Sequence, residues 1–164
     1  MVWTAANTVE VRDVGYPKLT HPLTNEPIKH GAIIKVLLSA ICGSDLHAYK
    51  GRTSAKSGSL VFGHEMTGEV VEVGSGCDKI HVGDWVTVPF NISCGVCDNC
   101  KRGYTNNCQT SGGLGGIYGY AAGGGWQGGQ AEYALIPWYV IIVYYIILQY
   151  LIDIDMILCI LVVL

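Results

Sequence analysis

Four cysteines crowd one short stretch of this sequence: Cys94, Cys97, Cys100 and Cys108, spaced C-x2-C-x2-C-x7-C. Tetrahedral zinc takes four soft donors at ~2.3 Å, and thiolates two residues apart can converge on one ion. Gly95 and Gly103 ease the tight turns this requires. Lys101 and Arg102 bring positive charge that partly offsets four thiolates. Disulfides and an iron–sulfur cluster are the alternatives. A closed four-cysteine set is the usual composition of structural zinc, which supports folding and does no chemistry.

A second constellation is more scattered. Cys42-Gly43-Ser44-Asp45-Leu46-His47 follows an apolar run, and Gly63-His64-Glu65 comes later. One Cys and one His are two ligands for a second zinc, and Glu65 or Asp45 can orient a ligand by hydrogen bonding. Each residue also has an ordinary reading. A Cys ending a strand is most often a small core residue, and a lone His is most often hydrogen-bonded or exposed. Spacing alone leaves both readings open.

The elements that must position these residues are short. Residues 8–14 alternate polar and apolar, as a half-buried strand does. Residues 32–41 form a longer apolar run suited to a buried strand. Residues 68–74, 85–89 and 130–136 are further strand candidates. Residues 44–49 predict one helical turn capped by Ser44. No amphipathic helix of ordinary length is present. Short strands separated by Gly-rich turns predict a mainly β barrel or sandwich. The stretch 112–129 holds 10 glycines.

Composition divides the chain. Of 164 residues, 50% are hydrophobic and 14% charged, with a formal net charge of -3. That charge argues against a nucleic-acid partner. All 22 glycines and all 10 basic residues precede Gln130, whereas 24 of the 27 residues from Trp138 to Leu164 are apolar. The expected organisation is a zinc-binding domain over residues 1–137 and an anomalous apolar tail over 138–164. The N-terminus, MVWTAANTVEV, has neither a basic nor an apolar leader region, so a cytoplasmic location is expected. In a reducing cytosol clustered cysteines read as metal ligands.

Residues 63–77, GHEMTGEVVEVGSGC, resemble the signature of the zinc-containing alcohol dehydrogenase family. The Cys-Gly-Ser-Asp segment before it and the four-cysteine stretch after it follow in the family's order and at similar spacing. Gly51-Arg52-Thr53, Pro89-Phe90-Asn91, Tyr118-Gly119-Tyr120 and Gly128-Gly129-Gln130-Ala131-Glu132-Tyr133 are similar to the glutathione-independent formaldehyde dehydrogenase branch. The resemblance covers residues 9–137. It implies a GroES-like β-barrel catalytic domain, followed in the family by a Rossmann domain that binds NAD(P). It implies that Cys42 and His64 are catalytic zinc ligands and that Glu65 approaches or tunes the metal. Asp45 would support His64, while Ser44 and His47 would relay the alcohol proton. Cys94, Cys97, Cys100 and Cys108 would hold a structural zinc. A small alcohol or aldehyde is the implied substrate, and homo-oligomers are usual in the family.

Three features depart from that pattern. The Rossmann domain is expected to be missing from these 164 residues, leaving a fragment inactive alone. Gly123-Gly124-Gly125-Trp126-Gln127-Gly128 fits G-x-G-x-x-G but neither follows a strand nor opens a helix, so it reads as a chance match. The family's third zinc ligand would fall near or beyond the tail's Asp153, Asp155 or Cys159, none in the expected surroundings. The tail is long enough to span a bilayer, but Asp153 and Asp155 near its middle argue against a functional membrane span. Its Ile, Leu, Val and Tyr composition resembles translated non-coding or frame-shifted sequence. A non-catalytic zinc module and a membrane-tethered product are the alternative functions.

Overall fold

Strand β1, Val2–Ala5, pairs antiparallel with β2, Thr8–Glu10, across a tight turn in which Asn7 has φ 61°. In this computed structural model the described residues are 1–52, 60–111, 115–120 and 123–138. The strand expected over 8–14 stops at Glu10 because Asp13 turns the chain: its side-chain oxygen accepts the Gly15 N–H at 2.8 Å. Val11 beyond the strand end is 91% exposed.

The central sheet has four antiparallel strands. Strand β3 is Ala32–Ser39 and the next element is helix α1, Gly43–Tyr49. Strand β4, Leu60–Val61, joins β1 in the first sheet. Strands β5, Met66–Val73, and β6, Trp85–Val88, follow. Strand β7, Asn91–Ile92, pairs with β8, Gly116–Ile117. Between them lie a one-turn helix, α2, Asp98–Lys101, and a 3-10 turn, Thr105–Asn107. Strand β9, Tyr133–Ile136, returns to the central sheet, whose order is β6-β5-β3-β9.

Side-chain alternation decides what each strand buries. On β5, Met66, Gly68 and Val70 point inward and Thr67, Glu69 and Val71 lie between. The expected burial of the 32–41 run holds only for its first part: Ala32, Ile33 and Ile34 are buried, whereas Leu37 and Leu38 are exposed. Irregular register between Val36 and Leu38 marks where β3 leaves regular pairing with β5. The core joins Ile34, Met66, Val70, Val86, Trp126 and Ile136. A smaller cluster of Trp3, Ala48, Leu60 and Phe62 anchors α1 against the first sheet. Trp138 stacks edge-on to Trp126, with centroids 5.9 Å apart, and packs on the core. Residues 139–164, including Asp153, Asp155 and Cys159, lie outside the described residues. Among the described residues no helix is long and apolar enough to cross a membrane.

Candidate metal centres

The Cys94, Cys97, Cys100 and Cys108 sulfurs all lie within 4.8 Å of one another. A tetrahedron of sulfurs ~2.3 Å from one centre has edges of about 3.8 Å, and Cys97 and Cys108 stand 4.0 Å apart. The arrangement fits one tetrahedral ion. These cysteines are all free, so no disulfide competes for them.

The local backbone supplies donors to sulfur. Cys94 N–H points at Cys108 Sγ at 3.3 Å, and Cys97 N–H at Cys94 Sγ at 3.4 Å. The Thr110 hydroxyl donates to Cys94 Sγ at 3.3 Å. Backbone donors at Cys100 and Gln109 lower the Cys97 thiol. Burial would raise Cys108, but the Ser111 hydroxyl and backbone N–H groups of Cys94, Thr110 and Ser111 outweigh it and bring it down to about 6. Burial, reinforced by the Cys97 thiol, pushes Cys100 up to about 12. Without a metal, negative charge therefore concentrates on some sulfurs and not others. A cation would have to draw the remaining proton from Cys100.

The second cluster consists of Cys42, His64 and Glu65, whose ligand atoms also lie within 4.8 Å of one another. Cys42 is the N-cap of α1, in an extended conformation at φ -83° and ψ 156°. The cap is thus two residues earlier than the expected Ser44. The reason is Asp45 at the third helical position, whose Oδ2 accepts the Cys42 N–H at 3.0 Å. That exchange leaves the Ser44 hydroxyl free to face His64 Nε2, 3.1 Å away.

Asp45 is 3% exposed and uses both oxygens on this cluster. Its Oδ1 stands 3.3 Å from His64 Nδ1, close enough for an ion pair though not aligned as a full hydrogen bond. A carboxylate at Nδ1 places the proton there and leaves Nε2 toward Cys42 and Ser44. The Asp45 carboxylate beside Nδ1 chiefly drives the His64 imidazole up to about 9, with Cys42 adding to it. Reciprocally, the Ser44 hydroxyl and backbone, then His64, lower the Cys42 thiol. Asp45, Ser44 and His64 thus act together on the two facing side chains. Glu65 is half-buried, and its carbonyl accepts the Ala40 N–H at 2.9 Å, which ties it to the end of β3. His47 lies in the last turn of α1, exposed and outside the ligand cluster.

The glycine-rich stretch takes a part here that its composition alone did not reveal. A Cβ at Gly128 would meet the Phe62 carbonyl oxygen at 2.3 Å, and one at Gly119 would meet the Gly63 nitrogen at 3.0 Å. Gly128 and Gly129 N–H groups donate to Val61 and Gly63 carbonyls. Backbone thus presses directly on the segment that carries His64. The signal in the sequence was the density of glycine, which fits close backbone approach as readily as loop flexibility. Tyr120 was also missed as a site residue: its hydroxyl donates to the Ser44 carbonyl at 3.1 Å. Gly123 to Gly128 forms turns with φ 92° at Gly124 and 77° at Gly125, not a strand-to-helix junction.

The pattern described as the alcohol dehydrogenase GroES-like domain matches residues 29–144. The chain belongs to this family. Glutathione-independent formaldehyde dehydrogenase of Pseudomonas aeruginosa is 49% identical over 140 residues, covering 84% of this chain and 35% of its own length. The Bacillus subtilis protein of that name is 45% identical over 148 residues, covering 84% of this chain and 36% of its own length. Alcohol dehydrogenase TADH from Thermus sp. ATN1 superposes with a TM-score of 0.71 at 42% identity, over 83% of this chain and 36% of that one. The chain therefore spans about a third of the length of the curated relatives it matches. Its fold is the mainly β, GroES-like architecture with a four-cysteine lobe.

Proposed function

We propose that this chain is the metal-binding catalytic part of a zinc-dependent, NAD(P)-linked dehydrogenase of small alcohols or formaldehyde. Asp45 carries the proposal: one buried carboxylate serves both Cys42 and His64, which a purely structural module would have no need to prepare. Cys42 and His64, with Glu65 beside them, would hold a catalytic zinc, and the four cysteines a structural one. When bound, the catalytic zinc supplies a Lewis acid for an alcohol or carbonyl oxygen. Asp45 keeps the His64 proton on Nδ1. Ser44 Oγ sits beside the ligand pair and can accept a proton from a bound alcohol. His47, three residues further along α1 and exposed, can pass that proton to solvent.

No described residue fits the nicotinamide cofactor. The G-x-G-x-x-G string at Gly123 is folded against Ser111, Ile117 and Leu23 and lacks the helix N-terminus that a pyrophosphate needs. On this reading the nicotinamide site is not among the described residues, and turnover by the 164 residues alone is not expected.

Metal content and turnover test this together. The purified chain is expected to hold two zinc ions, to fall to one in His64→Ala, and to show no NAD(P)-linked oxidation of formaldehyde or small alcohols. Turnover by the chain alone would overturn its inactivity. A single ion in the unaltered chain would favour a non-catalytic zinc module instead.

A further inference from the structure

Tyr120 touches both segments that build the second metal cluster. Its hydroxyl donates to the Ser44 carbonyl at 3.1 Å. Its ring stands edge-on to the His64 imidazole, with centroids 6.3 Å apart and planes at 67°. One side chain therefore spans from the first turn of α1, whose cap is Cys42, to the segment carrying His64 and Glu65.

The backbone fixes where this side chain starts. Gly119 has φ +67° and lies directly on the Gly63 backbone. Its N–H donates to the Trp126 carbonyl at 3.1 Å, tying it to a fully buried core residue. The phenol is half-buried, and a tyrosine hydroxyl keeps its proton at neutral pH, so it is a donor there.

We propose that Tyr120 is a positioning residue for the Cys42–His64–Glu65 metal site. Its hydroxyl holds Ser44 and the start of α1 against His64, and its ring keeps the imidazole facing Cys42. The two contacts reach different partners, so they can be separated. Removing the hydroxyl frees Ser44 while the ring stays. Removing the ring also frees His64. This inference rests on the proposed assignment of that cluster as a metal site.

Cobalt(II) substitution of the whole chain tests it, because cobalt reports ligand geometry by its d–d bands and thiolate ligation by charge transfer. Tyr120→Phe is expected to weaken the second-site cobalt about five-fold, as loss of one hydrogen bond would, and to shift its d–d envelope. Tyr120→Leu is expected to weaken it further. The four-thiolate charge-transfer bands should not change in either variant, which shows that the chain is folded. Were Tyr120→Leu to lose those bands too, Tyr120→Phe alone would decide, since it preserves the packed ring. Wild-type second-site affinity and spectrum in Tyr120→Phe would overturn the hydroxyl's part. The same result in Tyr120→Leu would overturn the inference entirely. A single cobalt in the unaltered chain would instead overturn the metal-site assignment beneath it.

Discussion

The four-cysteine lobe and the Cys42–His64–Glu65 cluster each bring their ligand atoms within 4.8 Å of one another, yet the chain builds them in opposite ways. The lobe takes every donor from residues 94–108 and closes its geometry with local N–H···S contacts. The second cluster takes donors from a helix cap and from the segment that links β4 to β5. Glycine backbone pressed against Phe62 and Gly63 holds that segment in place. A local chelate needs little beyond its own turns and its ion. An assembled site needs the barrel. The donors differ to match: four sulfurs complete a tetrahedron, whereas the described part of the second cluster has three unlike donors and buried support behind one of them. The first arrangement suits folding, and the second suits chemistry.

The sharpest way to break this contrast is to remove a lobe sulfur. Cys108 is fully buried and receives the Cys94 N–H. Cys108→Ser is expected to abolish metal retention in the lobe and to destabilise the chain by more than about 4 kcal/mol, as loss of a structural metal does. Thermal unfolding with metal analysis checks both. If the two clusters are as separate as their construction implies, the second-site cobalt spectrum should persist below the lowered melting temperature. Simultaneous loss of both metals from the folded protein would show that the lobe and the assembled site are one unit.

A smaller effect falls on the other side of the comparison. Asp45→Asn keeps the side-chain shape and removes the charge beside His64 Nδ1. It also leaves one amide group to serve both Cys42 N–H and the imidazole. Metal affinity at the second cluster is expected to fall 10–100-fold, roughly the loss seen when an outer carboxylate is removed. The lobe should keep its metal unchanged. Competition against a chelator, following the two cobalt spectra separately, measures each. Equal weakening at both sites would mean that Asp45 supports the fold rather than the site.

The same division explains what could be seen in the sequence. The lobe was legible because its four ligands are neighbours in the chain, so their spacing alone carries the geometry. Cys42 and His64 could be paired only through the family resemblance, since spacing between distant residues says nothing about which turns bring them together. Strands β3, β5, β6 and β9 showed in apolar patterning. Strand β1 did not, because four residues carry too little pattern. The cap of α1 was expected at Ser44 and lies at Cys42, the expectation having followed serine's better capping in isolation. Asp45 reversed that preference by reaching back to the Cys42 N–H. Tyr120 acts through tertiary contacts alone, and glycine density marked the segment pressing on Phe62 and Gly63 without saying what it presses on.

The smallest expected effect measures how the lobe distributes its support. Thr110 is exposed, and its hydroxyl is one of several donors aimed at sulfur, reaching Cys94 at 3.3 Å. Thr110→Val keeps the branched shape and removes only that donor. Each such bond contributes on the order of 0.5–1.5 kcal/mol, with the lower end fitting an exposed hydroxyl that water can replace. Lobe metal affinity should therefore fall only a few-fold, well short of the loss expected for Asp45→Asn at the other cluster. Chelator competition at the lobe reads it directly. A loss as large as that at the assembled site would mean that the lobe, too, hangs on a single supporting side chain. A small loss would mean that backbone N–H groups, which Thr110→Val leaves in place, carry the load around its sulfurs.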